Sequence, residues 1–319
     1  MCTAISYRTN NHYFGRNLDI EMSYHEEVVI TPRNYPFLFR HGGSLTNHYA
    51  MIGMATVSND YPLYYEATNE YGLSIAGLNF PGNAHYHELQ EESDNIAPFE
   101  LIPWLLSQCK TIADIRKKAK TLNIANIPFS PEYPLTPLHW LINDEENSIV
   151  LESTINGLQI YDNPCGVLTN NPPFPYHLQN LENYRNLTTG DLHKEIEPGF
   201  YSRGLGAVGL PGDLSSKSRF VKAVFVKENS VASDNEKDSI GQFFHILDSV
   251  SMPRGCVEVN GKYEITAYSC CCNTDKGIYY YTTYGNRQIT AIDMYHADID
   301  SNKILSFPLV KDQQIYKQN

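Results

Sequence analysis

Residues 1–19 read MCTAISYRTNNHYFGRNLD and set up the first element of the fold. Residues 3–7 and 13–16 are β-branched or aromatic runs, and the turn-forming pair Asn10-Asn11 separates them. Two short runs so close together predict a β-hairpin. The polar residues that follow the second run are therefore expected to lie beside the chain start.

The rest of the chain alternates between groups of strands and groups of helices. Apolar residues at helical spacing predict helices at residues 98–109, 111–122, 176–185, 215–227 and 234–250. Short β-branched or aromatic runs predict strands at residues 27–31, 51–58, 63–68, 73–78, 138–142, 148–152, 158–161, 262–272, 277–284 and 288–295. This order lacks a regular βαβ alternation and favours an α+β structure, in which helices flank stacked antiparallel sheets. No internal repeat or break in composition appears, so we expect a single domain over residues 1–319.

The composition is that of a globular protein with an acidic surface. Of the 319 residues 42% are hydrophobic, and 36 Asp and Glu against 24 Lys and Arg give a formal charge of -12. No basic run interrupts this balance, so nucleic acid is not expected as a partner, whereas a small anion facing one buried arginine is compatible with it. No stretch approaches the roughly 18 apolar residues of a membrane span, and the first residues lack a secretory signal. We expect a cytoplasmic protein with no membrane partner.

The seven cysteines, at positions 2, 109, 165, 256, 270, 271 and 272, are expected to be reduced thiols. An odd number in a long chain is a poor basis for a disulfide framework. The last three are consecutive, and neighbours on a strand point to opposite faces, which is unfavourable for converging on one metal ion. We expect no metal site.

Cys2 directly follows the initiator methionine. Removal of Met1 would leave a cysteine with its own free α-amino group, and α-amines and thiols ordinarily titrate close to neutrality. The amine can then act as the base for the thiol of the same residue. On position alone, a buried cysteine that starts a strand is the more common explanation. Both interpretations stay open at this point.

Polar residues at predicted strand ends supply the other groups that a nucleophilic site requires. Arg16 can favour a thiolate at Cys2, and Asp19 can accept a hydrogen bond from an α-ammonium, although a surface ion pair would look the same in sequence. Asn79 and the pair Asn170-Asn171 each follow a predicted strand at a turn. An amide at such a place can stabilise an oxyanion or can simply cap the turn.

A glycine-rich run precedes the predicted helix that contains Arg219. Residues 205–216, LGAVGLPGDLSS, fit neither a Walker A loop nor a dinucleotide-binding fingerprint, so no nucleotide cofactor is expected. The chain also lacks a Gly-x-Ser-x-Gly elbow, so nothing supports a serine hydrolase.

Seven motifs stand in order along almost the whole chain. They are Met1-Cys2-Thr3, Phe14-Gly15-Arg16-Asn17-Leu18-Asp19, Asn69-Glu70-x-Gly72-Leu73-x-x-Ala76-Gly77-Leu78-Asn79-Phe80-Pro81-Gly82, Leu138-His139-Trp140, Leu168-Thr169-Asn170-Asn171-Pro172, Gly209-Leu210-Pro211-Gly212-Asp213-Leu214-Ser215-Ser216-x-Ser218-Arg219-Phe220 and Gly277-Ile278-Tyr279-Tyr280-Tyr281. Together they closely resemble the choloylglycine hydrolases, the family of bile salt hydrolases and penicillin V acylases.

The resemblance implies the N-terminal nucleophile hydrolase fold, a four-layer αββα sandwich, which agrees with the element order above. It implies that Cys2 becomes the nucleophile once Met1 is removed, that no metal or organic cofactor takes part, and that the chain forms a homotetramer. In this chemistry Asn79, together with the Asn170 region, stabilises the oxyanion. The remaining site residues implied are Arg16, Asp19, Asn79, Asn170 and Arg219.

Position 79 indicates the substrate class. Penicillin V acylases tend to have a tyrosine where bile salt hydrolases have this asparagine, so Asn79 favours glycine- or taurine-conjugated bile salts. The alternatives are penicillin V, another N-acyl amide such as an N-acyl homoserine lactone, and, from another class, a steroid-acid binding protein without turnover. A rigid steroid requires an apolar groove. The candidates for its lining, by loop position, are Met22, Tyr24, Ala55, Tyr64, Tyr65, Ile127 and Phe129.

The loop Tyr201-Ser202-Arg203-Gly204 lies toward the leaving-group end of the predicted site. It resembles the family loop whose Ser-Arg-Gly version goes with taurine over glycine conjugates. A guanidinium can pair with the sulfonate of taurine, which makes Arg203 a candidate substrate-binding residue. An exposed arginine on a glycine-rich loop, without that role, is the alternative.

Overall fold

Groups of strands and groups of helices alternate in the computed structural model, which describes residues 1–190 and 204–319. In this part of the chain the strands are β1 Cys2–Arg8, β2 His12–Ile20, β3 Glu27–Thr31, β4 Phe37–Phe39, β5 Gly43–Leu45, β6 Met51–Ser58, β7 Tyr61–Asn69, β8 Ser74–Asn79, β9 Asp94–Ile96, β10 Leu122–Ile124, β11 Leu138–Asn143, β12 Ser148–Thr154, β13 Gly157–Asp162, β14 Val167–Leu168, β15 Glu258–Val259, β16 Lys262–Tyr263, β17 Ile265–Asn273, β18 Ile278–Thr283, β19 Thr290–Asp293 and β20 Leu305–Pro308. The helices are α1 Leu101–Leu106, α2 Ile112–Lys118, α3 Phe174–Leu181, α4 Ser216–Asn229 and α5 Glu236–Asp248. Short 3₁₀ helices lie at Pro98–Glu100, Glu182–Tyr184, Leu205–Ala207 and Met294–His296.

Most of these strands build two antiparallel sheets. One has six strands in the order β14-β1-β2-β17-β18-β19, and the other has eight in the order β13-β12-β11-β8-β7-β6-β3-β20. The hairpin predicted at the chain start is β1–β2, with Cys2 opposite Leu18 and Arg8 opposite His12. This register brings the chain start and residues 16–19 to the same end of the six-stranded sheet.

The burial pattern separates four layers. Val28 and Ile30 on β3 belong to the core that the eight-stranded sheet shares with the six-stranded sheet, whereas Val29 between them belongs to the core on the α1 side. Such alternation is expected because successive strand residues face opposite sides of a sheet. Helices α4 and α5 cover the six-stranded sheet, and α1 covers the eight-stranded one. The layers are therefore helix, sheet, sheet, helix, and the predicted αββα sandwich is confirmed.

Several element boundaries differ from the predicted ones because local hydrogen bonds end the element. Helix α2 begins directly after its cap, Thr111: the Thr111 hydroxyl accepts from Asp114 N over 3.3 Å and the Asp114 carboxylate accepts from Thr111 N over 3.2 Å. It ends at Lys118 instead of residue 122, because Leu122–Ile124 pair with β9 as strand β10. The strand predicted over residues 288–295 ends at Asp293. Its carboxylate accepts from Tyr295 N over 2.8 Å and starts a 3₁₀ turn.

Residues 191–203 lie outside the described part of the chain, and Arg203 is among them. Within the described residues, no helix combines the length and apolar character that a membrane crossing requires. The single-domain organisation over residues 1–319 stays a prediction.

Gly15 on β2 allows the close pairing of β2 with β17. A Cβ at this position would lie 2.0 Å from Cys270 O, so Gly15→Ala is expected to force the two strands apart. We expect this change to lower the free energy of unfolding by about 2–3 kcal/mol or more, measured by urea unfolding.

The matched control is Gly241→Ala in α5, where an added Cβ meets open space. This change is expected to raise stability by about 0.5–1 kcal/mol, because alanine is the better helix former. A Gly15→Ala variant as stable as the unchanged protein would contradict the close strand approach.

Candidate active site

Cys2 is the first residue of β1, and its side chain is buried in the wall of a large cavity. Met1 extends the strand pairing by one residue. Asp19 N donates to Met1 O over 2.9 Å, and the Met1 ammonium donates to Asp19 O over 2.6 Å. The Met1 ammonium also pairs with the buried carboxylate of Glu264. With Met1 in place, the Cys2 nitrogen is a peptide N–H, and its thiol already faces the cavity.

Asn170 joins Cys2 to two other parts of the site. Its side-chain oxygen accepts from Cys2 N over 2.8 Å and from Arg219 Nη2 over 2.8 Å. Its Nδ2 donates to Asn79 O over 2.7 Å. The neighbouring Asn171 instead donates to Pro81 O and touches none of these groups. The asparagine of the Asn170-Asn171 pair that contacts Cys2 is therefore Asn170, and its Oδ1 orients the Cys2 N–H.

Arg219 fixes the main chain around Cys2 from the start of α4. Its Nη1 donates to Cys2 O and, over 2.6 Å, to Thr3 Oγ1, while its Nε donates to Leu214 O over 2.9 Å. The side chain is fully buried. Burial lowers the pKa of Arg219, although the negative charges of Asp19 and a Cys2 thiolate oppose this. The bonds of Arg219 hold the strand that begins with Cys2.

Arg16 lies on β2 beneath the cavity and is also fully buried. Its Nη1 donates to Gly77 O and to Tyr65 O, the latter over 3.2 Å, and its Nε lies 3.8 Å from Glu66 Oε2. Its Nη2 has no hydrogen-bond partner among the described residues. Burial by itself lowers the pKa of Arg16, but the negative charges that Cys2 and Glu66 can carry outweigh it and raise the pKa overall. The site thus holds a permanent cation with one free donor.

Asp19 supplies the corresponding acceptor. Its Oδ1 accepts from the Thr266 hydroxyl over 2.6 Å, and its Oδ2 has no partner among the described residues. Burial raises the pKa of Asp19. The positive charges of Arg219 and the chain N-terminus act in the opposite direction, but the pKa stays above its ordinary value. A carboxylate oxygen at this place can accept from an ammonium at the chain start.

Asn79, the last residue of β8, presents its side chain to the cavity. The side chain is exposed, and within residues 1–190 and 204–319 it makes no hydrogen bond. The main-chain carbonyl of Asn79 is occupied by Asn170 Nδ2. The Asn79 amide is therefore available to a bound molecule.

The cavity has a volume of about 760 Å³ and mostly apolar walls. Five of the predicted lining residues do line it: Tyr24, Tyr64, Tyr65, Ile127 and Phe129. The segment over residues 127–136, IPFSPEYPLT, forms one wall together with Phe99. Arg40 ties this segment to the body of the protein, because its Nη2 donates to Phe129 O over 3.0 Å and its guanidinium lies about 6 Å from the rings of Phe99 and Phe129.

Two predicted lining residues are wrong. Ala55 is fully buried on β6 and packs into the core on the α1 side. Met22 lines a separate, smaller cavity, because the Glu26 carboxylate accepts from Ser23 Oγ and Tyr24 N and turns the loop so that Tyr24 faces the large cavity. Arg203 lies outside the described residues.

The sequence analysis missed two polar residues of the site, Glu264 and Thr266. Both lie in the predicted strand of residues 262–272, where neither was distinguished from the surrounding residues. Thr266 reaches Asp19 because these two residues are register partners between β17 and β2. A pairing between strands 247 residues apart leaves no local signal in sequence. Within the described residues, no three His, Cys, Asp or Glu side chains converge in a way that could hold a metal ion.

Solved structures with this architecture are similar over all or nearly all of the chain. A variant conjugated bile acid hydrolase from Clostridium perfringens matches with a TM-score of 0.92 and 38% identity, and 100% of both chains is covered. A penicillin V acylase from Agrobacterium tumefaciens matches with a TM-score of 0.78 and 18% identity, over 97% of this chain and 92% of that chain. This second likeness concerns the fold alone. The αββα sandwich with a cysteine opening its first strand defines an N-terminal nucleophile hydrolase fold.

Sequence comparisons give the family. The family model described as linear amide C-N hydrolases, choloylglycine hydrolase family, matches residues 2–307. The bile salt hydrolase/transferase of Lactiplantibacillus plantarum is 52% identical, and the protein of the same name from Clostridium perfringens is 38% identical, each with 100% of both chains covered. The chain belongs to the choloylglycine hydrolase family, as its motifs predict.

Cysteine reactivity tests the arrangement of the thiols. Burial raises the pKa of Cys109 to about 11 and that of Cys272 to about 12, and it raises the pKa of Cys270 and Cys271 well above the ordinary value. We expect iodoacetamide to alkylate these four at least about 100-fold more slowly than Cys2, which faces the cavity beside Arg16. Peptide mass spectrometry over a time course measures each rate.

The exposed Cys256 serves as the internal control for reagent activity, and unfolding in urea should make all seven cysteines reactive. Alkylation of Cys270 or Cys271 in the folded protein at the rate of Cys2 would contradict this assignment.

Proposed function

We propose that this protein is a bile salt hydrolase, which cleaves the amide bond of glycine- or taurine-conjugated bile salts and releases free bile acid. The observation that carries the proposal is the position of Cys2 at the base of a cavity of about 760 Å³ with apolar walls. That volume lies within the range of small-molecule pockets, and the apolar walls suit a rigid steroid. Names of relatives at 52% and 38% identity support the substrate class.

Removal of Met1 turns the Cys2 nitrogen into the α-amine that activates the thiol. Asn170 Oδ1, 2.8 Å from this nitrogen, accepts one of its hydrogens and orients the lone pair toward the thiol. The amine takes the thiol proton, and the positive charge of Arg16 favours the resulting thiolate. Asp19 Oδ2, which has no other partner among the described residues, then faces the new ammonium.

The thiolate sulfur attacks the amide carbonyl carbon of the conjugate, and the carbonyl oxygen becomes an oxyanion. The Asn79 side-chain amide is the available donor for that oxyanion, and such a donor is worth on the order of 3 kcal/mol of barrier. The C–N bond then breaks as the Cys2 ammonium returns its proton to the departing amine of glycine or taurine. Water attacks the thioester, the Cys2 amine accepts its proton, and the free bile acid leaves with the thiol restored.

Asn79 also decides between bile salts and penicillin V in this proposal. An asparagine at this position of the cavity edge is typical of the bile salt hydrolases of the family, whereas penicillin V acylases tend to have the larger tyrosine. A taurine preference through Arg203, the homotetramer and the cytoplasmic location stay predictions from the sequence.

A substrate panel tests the proposed function. We expect the purified protein to hydrolyse taurocholate and glycocholate at least about 10-fold faster than penicillin V, with kcat/KM from amino-group release. Cys2→Ser is expected to abolish turnover, because a hydroxyl is too weak an acid for the α-amine to deprotonate, while thermal unfolding stays unchanged.

Fast penicillin V or N-acyl homoserine lactone cleavage beside negligible bile salt turnover would refute the bile salt assignment. Bile salt binding without any turnover by the processed, unchanged protein would instead support a steroid-acid binding protein.

The pH dependence tests the role of Asp19. Because the Thr266 hydroxyl lowers the pKa of Asp19, Thr266→Val is expected to raise that pKa. Activity that needs ionised Asp19 is present above this pKa and is lost as the pH falls through it, so the variant loses activity at a higher pH. Loss of this charge-assisted hydrogen bond is expected to move the acid limb of kcat/KM upward by about one pH unit.

Thr68→Val is the matched control, since Thr68 is also buried and bonds to Ser74 Oγ over 2.8 Å. Its acid limb should coincide with that of the unchanged protein. If the acid limb of Thr266→Val is not shifted, Asp19 is not the group whose titration sets that limb.

A further inference from the structure

Two buried imidazoles bond to consecutive main-chain carbonyls of the turn that carries Asn170. His139 Nε2 lies 2.8 Å from Thr169 O, and His177 Nε2 lies 2.9 Å from Asn170 O. Both histidines are fully buried. A carbonyl oxygen can only accept, so each Nε2 carries a hydrogen and donates.

His139 connects this turn to the turn that follows Asn79. On β11 it is the register partner of Leu78, the residue before Asn79, and its ring stacks on Phe80 with centroids 4.2 Å apart and planes 5° apart. Its Nδ1 lies 3.2 Å from Glu152 Oε1, so the carboxylate fixes the orientation of the ring. One imidazole thus spans the ends of both asparagine-bearing segments.

His177 connects the same turn to the helix of Arg219. It lies on α3, and its ring stacks on Phe220, the residue after Arg219, with centroids 4.7 Å apart. Burial lowers its pKa to about 4, so the ring is neutral near pH 7. Its Nδ1 has no partner within the described residues, and the bond to Asn170 O is its one hydrogen bond there.

The main chain at Thr169 and Asn170 determines where the Asn170 side chain points. The preceding strand β14 is two residues long and pairs with β1 alone, so strand pairing gives this turn little support. Yet Asn170 Oδ1 must lie within hydrogen-bond distance of both Cys2 N and Arg219 Nη2. A displacement of about 1 Å in such a contact can cost about 100-fold in rate.

We propose that His139 and His177 are positioning residues, which hold the Thr169 and Asn170 carbonyls so that Asn170 Oδ1 stays on the Cys2 nitrogen. The inference rests on the proposed function. Neither histidine lines the cavity, so both act through Asn170 without contacting substrate.

The test uses His177 in two variants on the processed full chain. His177→Phe keeps the stacking on Phe220 and removes the donor, and we expect kcat for taurocholate to fall by 10- to 100-fold with KM within about threefold. His177→Gln places an amide N–H near the position of Nε2, and we expect it to restore kcat to within about threefold of the unchanged protein.

His12→Phe is the matched control. His12 is equally buried and bonds to Thr274 Oγ1 over 2.9 Å, but it lies at the hairpin end of β2, away from Cys2. We expect it to lower the thermal stability as His177→Phe does and to leave kcat unchanged. If His177→Phe retains kcat as His12→Phe does, or if a folded His177→Gln fails to restore kcat, the proposal is overturned.

His139 is tested by His139→Gln, because His139→Phe would leave the buried Glu152 carboxylate with Phe174 N, 2.9 Å away, as its one hydrogen-bond partner among the described residues and would endanger folding. Glutamine keeps a donor for Thr169 O, and we expect its kcat to stay within about 10-fold of the unchanged protein. A loss beyond about 100-fold in a folded His139→Gln would contradict a role through that donor alone.

A substrate-free readout separates this proposal from the proposed function. The rate of Cys2 alkylation by iodoacetamide depends on the α-amine that Asn170 orients, and we expect His177→Phe to slow it about 5- to 10-fold at pH 7. If the unchanged protein hydrolyses no bile salt, the proposed function fails, and the alkylation rates of the two His177 variants still decide the positioning role. Equal alkylation rates in His177→Phe and the unchanged protein would reject it.

Discussion

The hydrogen bond from the Cys2 nitrogen to Asn170 Oδ1, 2.8 Å long, is the constraint on which the rest of the site depends. The first residues of a chain are poorly ordered unless other groups tie them down. Here Asn170 holds the nitrogen of Cys2, Arg219 holds its carbonyl, and strand β2 pairs with it from the side. The position of the Cys2 nitrogen is therefore as well defined as that of a core residue, which the proposed mechanism requires of a catalytic group.

Four buried charges surround this constraint and balance each other. Arg16 and Arg219 carry positive charge, Asp19 and Glu66 can carry negative charge, and each is at most 2% exposed. Removing one of them would leave an uncompensated charge in the core, which costs far more than a surface ion pair contributes. The raised pKa of Asp19 and of Glu66 has the same origin, because burial favours the neutral carboxyl.

Local sequence patterns predicted most of the fold, but they did not predict contacts between residues that are far apart in the chain. The Asn10-Asn11 turn predicts the β1–β2 hairpin, and with it the approach of Arg16 and Asp19 to the chain start. The strand-end position indicates the Asn170-Asn171 pair as a candidate, but its approach to residue 2, and the role of Arg219, come from the motif resemblance, because no spacing rule brings residues 170 and 219 to residue 2. Thr266 reaches Asp19 through the pairing of β17 with β2, two strands far apart in the chain. Ala55 is the register partner of Tyr64, which lines the cavity, but the short Ala55 side chain is fully buried and does not reach it.

Residues 127–136 shape the cavity wall, while other segments carry the groups around Cys2. The shape of the pocket and its chemistry are therefore separable, although many pockets couple them. The groups around Cys2 lie on paired strands, on the turn after β14 and on α4, whereas this wall is an irregular segment that Arg40 and the Tyr86 hydroxyl, which donates to Thr136 O over 2.7 Å, fasten to the body. Insertions or replacements in that wall would reshape the accepted acyl group without disturbing the hydrogen bonds around the nucleophile. The scaffold can therefore acquire new acyl specificities while the groups that cleave the amide bond stay the same.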